Sequence, residues 1–171
     1  ILLTMYSGMR IGEICALKWS DIDLQSGIIR ISKTVQRIND KIGSSKTKII
    51  VGSPKSRTSE REIPIPNCLV NILNERRQNE NNYILSGTHK LIEPRTMQNR
   101  FKFVLKKCGI RNVNFHLLRH TYATVCIENG FDAKTVSELL GHSNVNITLN
   151  RYVHSSLDTK KKYVEKLNFV A

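Results

Sequence analysis

The sequence predicts an α+β fold, mostly helical, with a small three-stranded antiparallel sheet at one edge. Three observations point there. Apolar residues recur at helical spacing through most of the chain after residue 67, as in Met97, Phe101, Val104, Leu105 and Cys108. Short β-branched runs crowd the stretch between residues 28 and 65, and Pro64 and Pro66 close it. A length of 171 residues, with 40% hydrophobic and 24% charged side chains, suits one core of ordinary size. One domain over residues 1–171 is the expectation.

The elements follow in order. Residues 2–7 and 11–17 read as two helical pieces separated by Gly8-Met9-Arg10, with Ile11, Ile14, Cys15 and Leu17 as the apolar stripe of the second. Trp19 to Asp23 leads into the β-rich region. Its strands are expected at Ile28–Ile31, Lys48–Val51 and Glu62–Ile65, with an extended basic hairpin between the first and last. From Asn67 onward the chain reads as helical almost throughout. Cys68, Leu69, Ile72 and Leu73 mark one helix, and the Met97 stripe marks another. Later helices are expected at 116–129 and at 132–140, the latter with Asp132 as N-cap and Gly141 just past its end. One more starts near Asn146 and carries Tyr152, and the tail 157–171 can form an amphipathic helix. The chain opens on the apolar run Ile1-Leu2-Leu3 without an initiator Met, which suggests a piece of a longer protein.

Charge narrows the function. Lys and Arg number 27 against 14 Asp and Glu, a formal net charge of +13, which calls for a polyanionic partner. Between Arg30 and Glu62 there are nine basic residues and three acidic ones. Between Arg95 and Arg111 there are six basic residues and no acid. Either cluster alone reads equally well as a solvated face. Two clusters on separate elements favour phosphate contacts, with Lys46, Lys48 and Arg57 on the hairpin and Arg95, Lys102 and Lys106 on the helix as candidate DNA-binding residues. Lacking aromatic-rich strands for stacking single-stranded bases, the chain points to duplex DNA. No apolar run approaches the ~20 residues of a membrane span, no signal peptide leads the chain, and the four scattered cysteines read as buried, reduced thiols. A cytoplasmic protein without membrane contact is expected.

The chemistry concentrates in the last third. In His116-Leu117-Leu118-Arg119-His120, residues three and four apart share a helix face. The His116/His120 pair could hold a metal, but a metalloprotease needs Glu after the first His, and Leu117 stands there. No metal and no other cofactor is expected.

Four blocks together resemble the tyrosine recombinases, the family of phage and transposon integrases and chromosome-dimer resolvases. They are Ser7-Gly8-Met9-Arg10-Ile11-Gly12-Glu13, Pro54-Lys55-Ser56 with Arg61-Glu62-Ile63-Pro64, His116-Leu117-Leu118-Arg119-His120-Thr121, and Leu140-Gly141-His142 with Thr148 and Tyr152. They occur in the family's order over nearly the whole chain. Ser7 and Met9 replace the more usual Thr and Leu, and the hairpin is long.

The resemblance implies that family's fold and a metal-free phosphodiester transfer through a 3′-phosphotyrosine. Arg10 and Arg119 would clamp the non-bridging oxygens, a task suited to a permanently charged, planar guanidinium. Tyr152 would be the nucleophile, and its phenol, with a pKa of ~10, needs help to lose its proton. His116 would be the general base or positioner, Lys55 the general acid for the leaving 5′ oxygen, and His142 a donor to the scissile phosphate. Glu13 would support Arg10 or His116. Four protomers would synapse two DNA sites, the free chain being a monomer. A type IB topoisomerase shares the chemistry, but the close His142 and Tyr152 blocks favour an integrase. A non-catalytic DNA-binding module would have no need of Tyr152 together with His116 and Arg119.

Overall fold

The computed structural model describes residues 1–40, 46–54, 56–152, 161, 164 and 165. Helix α1 (Leu2–Ser7) stops at Gly8, whose left-handed φ of 62° turns its amide back to the Thr4 carbonyl. A Cβ there would also stand 2.5 Å from Cδ1 of Tyr122, so the site demands glycine twice over. Helix α2 (Ile11–Ala16) begins in a capping box: the Glu13 carboxylate accepts from the Arg10 amide at 2.8 Å. A single 3₁₀ turn, Trp19–Asp21, carries the chain into the strands.

The described residues form five strands: β1 (Ile22–Asp23), β2 (Ile28–Ile31), β3 (Thr34–Asn39), β4 (Thr47–Gly52) and β5 (Arg61–Pro64). β1, β2 and β5 form a three-stranded antiparallel sheet in that order, with Ile29 opposite Ile63 and Arg30 opposite Glu62. The segment Lys48–Val51 is not part of it, contrary to expectation. It lies in β4, which pairs only with β3 in a separate hairpin, Val35 opposite Val51. Chain neighbours pair first, and this hairpin buries Val35 against Cys15 and Ala16 of α2, not in the main core. Gly12 permits the approach, since a Cβ there would lie 2.7 Å from the Val35 carbonyl oxygen.

Helix α3 (Asn67–Asn74) is followed by turns over residues 75–93, where the sequence suggested further helix. Asn and Ser there bond their own backbone, as Asn79 Oδ1 does with the Asn81 amide, which competes with a helical ladder. Among the described residues four further helices follow: α4 (Pro94–Lys107), α5 (His116–Glu128), α6 (Ala133–Leu140) and α7 (Asn146–Tyr152). Asp132 caps α6 by accepting from the Thr135 amide at 2.9 Å, and Gly141 ends it at φ 63°. Helix α4 buries Phe101 and Leu105 and leaves Arg95, Lys102 and Lys106 exposed, but Val104, expected in the apolar stripe, is exposed as well.

The main core joins the sheet to α2, α3 and α4 through Met9, Ile14, Ile29, Ile63, Leu69 and Phe101, with Phe115 edge-on to Phe101 at 5.2 Å. A second cluster of Ala123, Cys126, Val136 and Leu140 packs α5 on α6, and Tyr122 and Tyr152 lean on it. Cys15 and Cys126 are buried free thiols, whereas Cys68 and Cys108, expected inside, are exposed at the ends of α3 and α4. Helix ends have one open side, and position alone decided this. The tail helix expected over 157–171 falls outside the described residues except at 161, 164 and 165, and Val164 there is exposed. Among the described residues no helix is long and apolar enough to cross a membrane.

Candidate active site

Two arginines meet at the end of α6. Arg10, preceding α2, donates through Nη2 to the Gly141 carbonyl at 2.9 Å. Arg119, from α5, is almost wholly buried and donates to Leu140 O and Gly8 O, each at 2.7 Å. The left-handed Gly141 presents its own carbonyl and its neighbour's to these two guanidiniums, and His142 follows directly. A Cβ on Gly141 would lie 2.9 Å from the Thr58 carbonyl oxygen, so only glycine fits so close to the neighbouring backbone.

Glu13 holds the arginines from beneath. It is 2% exposed, pairs with Arg10 Nη1 at 2.9 Å and receives both Nη atoms of Arg61 at 3.0 and 3.1 Å. Burial acts to raise its pKa, but the hydrogen bonds and charges of Arg61 and then Arg10 outweigh it, and the carboxyl lies below its ordinary range. Of the two supporting roles expected for Glu13, the contact is to Arg10, with Arg61 as a partner the sequence did not assign. Arg61 also donates to Leu139 O at 2.6 Å and to Ser59 O at 2.9 Å. One legible signal was available: Arg61 alternates with Glu62 and Pro64 and so shares the inward face of β5 with Ile63.

His116 lines a cleft of about 500 Å³ with Arg10, Glu13, Pro54, Ser56 and Ser59. Pro54 and Ser56 flank position 55 in sequence, while Lys55 itself and the side chain of Arg57 lie outside the described residues. His142 Nδ1 is hydrogen-bonded to the buried Thr148 hydroxyl at 2.8 Å, which leaves its Nε2 available to a ligand. Tyr152, half-buried on α7, is hydrogen-bonded through its hydroxyl to Nδ1 of His120. The sequence had treated His120 only as half of a metal pair. His116 instead stands edge-on to the His120 ring, centroids 4.6 Å apart.

The charges acting on His116 and His142 are cationic. Desolvation, followed by the charges of His120, Arg119 and Arg10, pulls the His116 pKa down to about 4. Desolvation, then Arg119, Arg10 and Arg61, brings His142 to about 4 as well. Burial moves the Tyr152 phenol up, against the pull of Arg151 and Arg119. A depressed histidine binds fewer protons folded than unfolded, so its contribution to stability is complete above pH ~6.5 and is lost as pH falls toward 4. The depressed Glu13 carboxyl acts in the same direction, losing its contribution at still lower pH. Thermal unfolding followed by circular dichroism should therefore show Tm falling steadily from pH 7 to pH 4. A flat Tm across that window would contradict these environments.

Lys46 and Lys48 are exposed on the β3–β4 hairpin, Lys48 lying 3.6 Å from Asp40. Arg95 and Lys102 border a separate polar cleft of about 350 Å³ with Asn112 and Asn114. Lys106 is exposed one turn further along α4. Among the described residues, no group of three or more His, Cys, Asp or Glu side chains could hold a metal ion.

Comparison with known proteins adds four matches. The profile of the phage integrase family matches residues 1–158. A tyrosine recombinase XerC-like protein of Caldanaerobacter subterraneus subsp. tengcongensis is 36% identical over 186 residues, covering 98% of this chain and 48% of that protein. Among solved structures, the Tn1549 transposon integrase in complex with transposon right end DNA superimposes with TM-score 0.76 at 22% identity, over 96% of this chain and 56% of that one. The crystal structure of XerA recombinase follows with TM-score 0.65 at 25% identity, over 98% of this chain and 57% of that one. The chain spans about half the length of the curated relatives it matches.

Proposed function

This chain belongs to the phage integrase family, and on that premise we propose that it performs the strand cleavage and rejoining of a site-specific DNA recombinase, with Tyr152 as nucleophile. One observation carries the reading most of the way. Arg10 and Arg119, 109 residues apart in sequence, are anchored on the consecutive carbonyls of Gly141 and Leu140, with His142 adjoining and the Tyr152 helix next in the chain. Two fixed guanidiniums at one place suit the two non-bridging oxygens of a phosphate whose charge grows in the transition state. Preorganisation by protein carbonyls and Glu13 means that little reorganisation is needed when that charge develops.

In this reading Tyr152 attacks the scissile phosphate and keeps the 3′ end, and Lys55 protonates the departing 5′ oxygen. His142 donates through Nε2, which its bond to Thr148 leaves free. His116 faces the phosphate cleft beside Arg10. A 5′ hydroxyl then reverses the chemistry on a partner strand. Duplex DNA is the substrate, and four protomers on two sites form the assembly that exchanges strands, with the free chain a monomer. The test is a nicked duplex whose 5′ fragment diffuses away on cleavage. A denaturant-resistant, protease-sensitive protein–DNA adduct with a free 5′ hydroxyl is expected, unchanged by chelator. Absence of any adduct with recognised DNA would overturn the proposal.

The exposed lysines of α4 supply a second check. Binding should weaken steeply with salt, since each phosphate contact releases about 0.9 counterion. Lys102→Ala combined with Lys106→Ala should lower the log–log slope by about two without changing sequence preference. An unchanged slope would turn that face of α4 away from DNA.

A further inference from the structure

We propose that His120, and not His116, accepts the proton from the Tyr152 hydroxyl as that oxygen attacks the phosphate. The inference rests on the strand-transfer reading above. Its basis is a division of geometry between two histidines one helical turn apart. His116 lines the cleft with Arg10, Pro54 and Ser56, to which the strand-transfer reading assigns the phosphate. His120 Nδ1 is the hydrogen-bond partner of the Tyr152 hydroxyl, with the two rings 5.8 Å apart. A proton acceptor must reach the proton it removes, and His120 already does.

The surroundings act on both partners. The groups facing His120 are His116 and Arg119 from α5, and Arg151 and Tyr152 from α7. Desolvation, then Arg151 and Arg119, lower the His120 pKa and favour the neutral imidazole; in the tautomer this proposal requires, Nε2 carries the hydrogen and Nδ1 accepts from the Tyr152 hydroxyl. Burial raises the Tyr152 pKa and the same two arginines only partly oppose it, so the phenol needs a proton acceptor in place before it can attack. In the forward step the Tyr152 oxygen–phosphorus bond forms and the phenol proton passes to Nδ1, giving an imidazolium. The bond from phosphorus to the 5′ oxygen breaks, and that oxygen takes a proton from the general acid assigned to Lys55. In the return step a 5′ hydroxyl gives its proton back to that amine, and the imidazolium returns its own to the departing phenolate.

The experiment is single-turnover cleavage of the nicked duplex by the purified protein, across about pH 5 to 9. His120→Asn keeps a hydrogen-bonding group near the place of Nδ1 but cannot carry the proton; His120→Gln is the alternative if the first variant folds poorly by circular dichroism. The expected result is a loss of about 10²–10⁴-fold in cleavage rate, with DNA affinity retained and the acid limb of the rate–pH profile abolished. A duplex with sulfur in place of the bridging 5′ oxygen should not restore the rate, because that leaving group needs no acid. Cleavage within about threefold of wild type, with its acid limb intact, would overturn the proposal. Rescue by the sulfur duplex would overturn it too, moving His120 to the leaving-group side. A wild-type protein that forms no adduct is a different failure, that of the strand-transfer reading itself.

Discussion

Tyr152→Phe should bind the DNA site as the wild type does and form no covalent adduct. The substitution removes one oxygen and leaves the ring packed on the cluster of Ala123, Cys126, Val136 and Leu140. Its structural cost is one hydrogen bond to His120, about 1 kcal/mol by the usual measure. If Tyr152 is the nucleophile, as proposed, its chemical cost is complete, because the attacking atom is gone. Tyr122 cannot substitute. Its ring lies against Gly8 and Leu140, and burial pushes its hydroxyl pKa well above the ordinary phenol value. Mobility-shift binding together with denaturing gels of the nicked substrate separates the two effects. An adduct that survives in Tyr152→Phe, mapped to Tyr122 or Tyr163 by mass spectrometry, would overturn the assignment of the nucleophile.

The second large effect belongs to Glu13. Glu13→Ala leaves Arg61, with a side chain only 6% exposed, without its countercharge and frees Arg10 from its support. Removing one partner of a buried ion pair costs about 3–5 kcal/mol, since the remaining charge has been desolvated for nothing. Against a total stability of about 5–15 kcal/mol, that is enough to unfold a marginal protein near physiological temperature. Urea unfolding should show the midpoint shift with an unchanged slope, and cleavage should fall beyond what the lost folded fraction explains, because Arg10 no longer holds its place. Glu13→Gln, which keeps an acceptor oxygen but not the charge, should fall between the two. A Glu13→Ala protein as stable as wild type would show that the pair contributes no net stabilisation.

Much of this molecule was readable before any coordinates. The helix boundaries rest on events within four residues of each other: Asp132 capping Thr135, Gly8 and Gly141 at left-handed stops, Phe101 and Leu105 one turn apart on α4. Interactions that local are written directly in the order of residues, and the motif spacing was enough to bring Arg10, His116, Arg119, His142 and Tyr152 into one proposal. What the order could not decide was which long-range contact each side chain would make. Arg10 reaches a carbonyl 131 positions away, Arg119 one 111 positions away and Arg61 one 78 positions away. The β3–β4 hairpin left the main sheet because Val35 found its burial on α2, a choice that only packing could make. Arg61 and His120 emerged for the same reason. A strand residue and a helix residue of ordinary type became parts of the site only when the fold set Glu13 beneath one and the Tyr152 hydroxyl against the other. The sequence by itself determined most of the helices, the charge and the family; the tertiary structure decided how the strands pair, which histidine meets the Tyr152 hydroxyl and which arginine anchors the carboxylate, because those contacts exist only after distant segments have packed.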